Sequence, residues 1–142
     1  MAGDRASYGF FNSFFTQPAL LFFLGQKEAA LELAAKHQAN LDPKAGKTVY
    51  DRVVDYWKNP HATTEKQLLD FAGSNKASLV LAHWHIGIRQ LADGDRAGAR
   101  RHFEACMALH YPYFYGYLES RALLARMNKD PMWPPWISVK KE

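Results

Sequence analysis

The chain has 142 residues, of which 48% are hydrophobic, 14% aromatic and 23% charged, with a formal net charge of +4. That is one domain's length, spanning 1–142, and too rich in large apolar side chains to remain disordered. Its one cysteine, Cys106, excludes an internal disulfide framework and a multi-cysteine zinc site, and the small basic excess excludes the dense cationic stripe of a nucleic-acid binder.

Six of the nine phenylalanines fall between Tyr8 and Leu24. This stretch is too short and too interrupted by Asn12, Ser13, Thr16, Gln17 and Pro18 to span a bilayer. It also lacks a signal peptide's basic start and small-residue cleavage site, so neither a signal peptide nor a transmembrane helix is recognised. At helical spacing Phe10, Phe11, Phe14 and Phe15 share one face, with uncharged polar residues opposite. An in-plane membrane helix carries Lys or Arg on its polar face, which favours a protein partner, with contact to a membrane surface as the alternative.

Helical periodicity continues along the chain, and period-2 alternation is absent. Lys27–Ala39 is rich in Ala, Leu, Glu and Lys and completes a first hairpin over 7–39. After the turn residues of 40–46, Thr48 with Asp51 reads as a cap for an amphipathic helix through Val53, Val54, Tyr56 and Trp57. Asn59-Pro60-His61 ends it, and Thr64 with Gln67 reads as a capping box for a short helix through Phe71, closing a second hairpin over 48–73. A third hairpin over 76–110 pairs helices on either side of Asp93-Gly94-Asp95. Pro112 suits the first turn of a terminal helix over 112–128, and a Pro/Trp tail over 129–142 is expected to be extended. The fold class is all-α, in antiparallel helical hairpins.

Gly25 and Gly94, Ala30 and Ala99, and Pro43 and Pro112 all recur at one offset of 69 residues, two units of 34 or 35. Over Val80–Tyr113, the order Ile86-Gly87, Gly94, Ala99, Phe103 and Cys106 resembles a tetratricopeptide repeat. There, small residues sit where two helices approach, an aromatic fills the gap beside them, and a glycine makes the turn. Through Tyr50, Val53-Val54, Tyr56-Trp57, Leu68-Leu69, the run from Leu81 to Ile88 and the run from Tyr117 to Leu124, the chain over about residues 48–127 is similar to bacterial NlpI-like repeat lipoproteins. That resemblance implies a helical-repeat scaffold of about three hairpins and a terminal helix.

No phosphate loop or hydrolase motif is present, so neither catalysis nor a cofactor is expected. His102, Cys106 and His110 share a helical stripe and are the candidate metal ligands, with core packing as the competing reading and metal binding or enzymatic chemistry as a lesser alternative. Asp51 with Asp55, and Glu28 with Glu32, read as solvated faces. Leu81, Trp84, Ile88 and Leu91 recur at spacings of three and four, a stripe that either lines a binding groove or receives a neighbouring hairpin. Trp133 and Trp136 are large interface anchors or the cap of the last helix. The expectation is a non-catalytic scaffold or accessory subunit in the cytoplasm, with membrane association through the N-terminal segment as an alternative. It would bind a peptide, helix or partner subunit through these aromatic surfaces.

Overall fold

The computed structural model describes residues 16–41, 43–45 and 47–139. Seven α-helices follow one another among the described residues: α1 (16–23), α2 (Lys27–Ala39), α3 (Val49–Lys58), α4 (Ala62–Ala72), α5 (Lys76–Ala92), α6 (Arg96–Ala108) and α7 (Tyr115–Lys129), with a 3-10 turn at Pro43–Ala45. No strand occurs among the described residues, and none of their helices is long and apolar enough to cross a membrane. The Phe10, Phe11, Phe14 and Phe15 face lies outside the described residues.

Helix ends follow local chemistry. At the start of α3 the Thr48 N–H donates to the Asp51 carboxylate at 2.8 Å, which satisfies an orphan donor. Asn75 and Asp95 cap α5 and α6 through their side chains, accepting from the Ser78 and Gly98 N–H groups, each at 2.9 Å. The α4 cap differs from expectation. The helix starts at Ala62 with His61 as its cap, the ring Nδ1 accepting from the Thr63 N–H at 3.2 Å. Thr64 stands at the third helical position instead, its hydroxyl donating to the Asn59 carbonyl at 2.6 Å.

The two glycine turns at the 69-residue offset have one geometry. Gly25 and Gly94 take φ of +79° and +80°. The Gln26 N–H donates to the Leu21 carbonyl and the Asp95 N–H to the Gln90 carbonyl, at 2.8 and 2.9 Å. The glycine N–H groups reach Phe22 and Leu91, both at 2.9 Å. This is the six-to-one closure of a left-handed helix end, which glycine adopts without a Cβ penalty. Ala30 and Ala99 are fully buried a turn later, so the two turns at this offset share one local geometry.

Helix α5 is the centre of the molecule. It packs on α3, α4, α6 and α7, and 11 of its 17 residues are buried. Gly87 admits the Phe103 ring of α6, which also stacks on Trp84 with centroids 5.4 Å apart. On the other side Trp57 of α3 lies between Phe22 of α1 and His85 of α5, at 5.1 and 5.3 Å. Its indole N–H donates to the His85 carbonyl at 3.1 Å, and Arg89 Nε donates to the Trp57 carbonyl at 3.0 Å. These contacts give buried polar groups the partners that desolvation demands.

Phe71 of α4 is 45% exposed under the Arg52 guanidinium. Two further expectations are corrected. Helix α6 ends at Ala108 because His110 takes a left-handed φ of +50°, and α7 begins at Tyr115, leaving Pro112 in the turn. The described tail is not extended. It folds through turns, buries Ile137, and docks on the end of α1 and the start of α6.

Candidate functional site

The α5 stripe does not lie open as a groove. Leu81, Trp84, Ile88 and Leu91 are 5%, 5%, 1% and 0% exposed, because α5 is covered on several sides. Two of the four nevertheless reach a cavity. Trp84 and Ile88 form the floor of a space of about 250 Å³ between α1, α5 and α7. Helix α1 contributes Ala19, Leu20 and Phe23 to its wall, and α7 contributes Tyr115, Glu119 and Leu123. The local cause is small residues at close approaches. Gly116 brings the first turn of α7 so near α5 that a Cβ there would lie 3.0 Å from the Trp84 Cβ.

Glu119 is the one carboxyl group among the described residues of this lining. Burial alone pushes its pKa up to about 7, because the charged form loses hydration and gains no counter-charge. Tyr115, its neighbour one turn back, is otherwise engaged, its hydroxyl lying 3.3 Å from His85 Nε2. His85 Nδ1 donates to the Leu81 carbonyl at 2.6 Å, which leaves Nε2 as the acceptor for Tyr115. Desolvation holds His85 down to about 4.

Trp133 and Trp136 are placed beside this cavity through Phe23, whose ring lies 5.6 and 5.4 Å from theirs. The Trp136 indole N–H donates to the Phe23 carbonyl at 2.8 Å. Arg96 holds the same segment from the other side, donating to the carbonyls of Pro134 and Ile137 at 3.0 and 2.7 Å. Arg100 likewise donates to the Met127 carbonyl at 3.2 Å. Both arginines therefore serve internal contacts. The paired carboxylates carry no site either: Asp51 caps α3, and Asp55 lies 3.6 Å from Lys47.

The His102, Cys106 and His110 stripe is not assembled into a ligand set. The Cys106 thiol donates to the Val80 carbonyl at 3.4 Å, and His110 is exposed in the turn after α6. His102 joins a different group. Its Nε2 lies 3.1 Å from the Glu65 carboxylate, and its Nδ1 lies 2.9 Å from Nδ1 of His83. With Glu65 ionised, the His83 Nδ1–H donates to His102 and the His102 Nε2–H donates to Glu65. The result is a linear chain linking α4, α5 and α6, in which Glu65 and His83 meet opposite nitrogens of His102 and share no metal-sized space. Among the described residues no cluster of three His, Cys, Asp or Glu side chains is placed to hold a metal ion. Desolvation first, then neighbouring charge, lowers the pKa of both His83 and His102 to about 4.

Sequence reasoning passed over Glu119. A hint was available: its helical neighbours at three and four residues are Tyr115, Gly116, Ala122 and Leu123, none of them charged. A glutamate in that setting sits on an apolar face. The cavity itself left no local trace, because its walls come from positions about 100 residues apart. No family model, no curated protein and no solved structure matches this chain.

Proposed function

We propose that this chain is a non-catalytic scaffold or accessory subunit of a larger protein complex, built on tetratricopeptide-like hairpins. The order of packing supports the repeat reading. Helix α5 packs on its own partner α6, on the preceding α3 and α4, and on the following α7, while α6 also packs on α7. This is how stacked hairpins bury a continuous core.

The observation that carries the partner reading is the placement of exposed apolar side chains. Of the eight large hydrophobics that stand exposed among the described residues, Leu20, Leu24, Tyr113, Leu118, Met132, Trp136 and Val139 all lie on α1 or the turn after it, on the segment entering α7 and in its first turns, or on the tail. Those segments are the ones joined by the cavity and by the Trp136–Phe23 contact. A partner subunit presenting an apolar helix would cover them, with Trp136 as an anchor of the type that dominates interfaces.

The test is native purification of the tagged full-length chain beside a Leu24→Glu/Leu118→Glu/Val139→Glu variant, all at exposed positions. A stoichiometric partner that co-purifies with the parent and is lost from the folded variant supports the reading. Equal retention by both, or a parent that runs alone, overturns it.

A further inference from the structure

The cavity between α1, α5 and α7 has properties that a protein partner does not explain. It extends below the surface to Trp84 and Ile88, both of them core residues. An apolar cavity of about 150 Å³ accepts benzene, so about 250 Å³ corresponds to a compact molecule of about ten non-hydrogen atoms. Apart from Thr16 and Glu119 its described walls are aliphatic and aromatic, which suits a hydrocarbon or aromatic body.

The lining also carries a carboxyl group with nothing to pair with. No hydrogen bond or ion pair engages the Glu119 carboxyl among the described residues. Among the described residues, the other lining side chains of α1 and α5 are uncharged, and Tyr115 is the only other titratable one. A half-buried carboxylate beside an apolar space is costly without a cation, and a ligand that supplies the cation removes that cost. An anionic ligand would add a second negative charge to the same space. A purely apolar ligand would exclude water and leave the carboxylate worse off.

We infer that this cavity is a binding site for a small hydrophobic primary amine, with its apolar body against Phe23, Trp84 and Ile88 and its ammonium group on the Glu119 carboxylate. The site adjoins the partner surface and shares Leu20 with it, but neither the amine nor its recognition by Glu119 depends on a protein covering the exposed face.

Three probes of matched size test it by calorimetry on the full-length chain: 2-phenylethylamine, ethylbenzene and 3-phenylpropionate. The amine is expected to bind on the order of tenfold tighter than either of the others, the strength of a charge-assisted contact. Glu119→Gln should erase that preference while leaving ethylbenzene binding in place. Ala122→Phe, which projects a ring into the cavity, should abolish binding of all three. Glu119→Gln introduces no bulk, so it decides the matter even where the larger substitution disturbs folding. Equal or tighter binding of ethylbenzene or 3-phenylpropionate, an amine preference that survives Glu119→Gln, or no binding of the amine to the parent chain would each overturn the proposal.

Discussion

Gly87 and Phe103 occupy one space between α5 and α6: a Cβ at Gly87 would lie 2.5 Å from the Phe103 Cε1. The ring cannot retreat, being fully buried and stacked on Trp84. Gly87→Ala gains about 1 kcal/mol of helix propensity but overpacks a filled core, at a cost of about 1–3 kcal/mol. A net loss on the order of 1 kcal/mol in urea unfolding is expected, and Phe103→Leu in the same chain should recover part of it. A more stable Gly87→Ala protein would show that the two helices separate freely.

Stability should fall steeply in mild acid. His83, His85 and His102 are each held at about 4, chiefly by desolvation, against an ordinary value of 6.5. Between those values the unfolded chain binds protons that the folded chain excludes, so lowering pH favours unfolding. The stabilisation is complete above about pH 6.5 and is lost as pH drops through about 4. Glu119 and Glu65 act in the opposite sense, since burial raises both and so favours the folded state at lower pH, but they are two groups against three. Urea midpoints measured at pH 7.5, 6, 5 and 4 check this. A flat profile between 6.5 and 4 would show that these rings are not desolvated.

Arg96 should control the tail. Its guanidinium holds the carbonyls of Pro134 and Ile137, and Trp136 completes the contact on the opposite side at Phe23. Arg96→Ala is expected to raise amide hydrogen exchange over 133–138 and at the end of α1 together, with a global loss of about 1–2 kcal/mol. Exchange that rises in the tail alone would mean that α1 is held in place without it.

Cys106 should be inert in the native state. The thiol is buried beside Val80, and desolvation pushes its pKa up to about 11, so little reactive thiolate exists at neutral pH. Modification by a thiol reagent is expected to track unfolding, accelerating with urea. Prompt native labelling would overturn this placement. Cys106→Ala should leave the fold intact, whereas Cys106→Ser should cost more by burying a stronger polar group.

Much of the helical layout was legible because its determinants are local. The Ala, Leu, Glu and Lys content of Lys27–Ala39 sets α2, and Gly25 and Gly94 mark their turns through the same left-handed geometry. Where the chemistry was less usual, the reading slipped by a few residues. A histidine ring capped α4 where Thr64 was expected, and α7 opened after a turn that took in Pro112.

The site was legible only in part. Trp84 and Ile88 stood out by spacing, but spacing says that a helix has an apolar face and leaves open what covers that face. Trp133 and Trp136 were conspicuous by composition, yet their docking on Phe23 depends on the chain returning across the molecule from residue 136 to residue 23.

The abundance of aromatic residues with uneven placement, together with 3.6-residue periodicity, determined that this chain is a helical protein with a real core and crowded ends. Tertiary structure alone decided that α5 is enclosed, that the tail returns to α1, and that an uncompensated Glu119 borders an apolar cavity. Periodicity is a property of neighbouring residues, whereas burial, desolvation and cavities arise only when distant segments exclude water from one another.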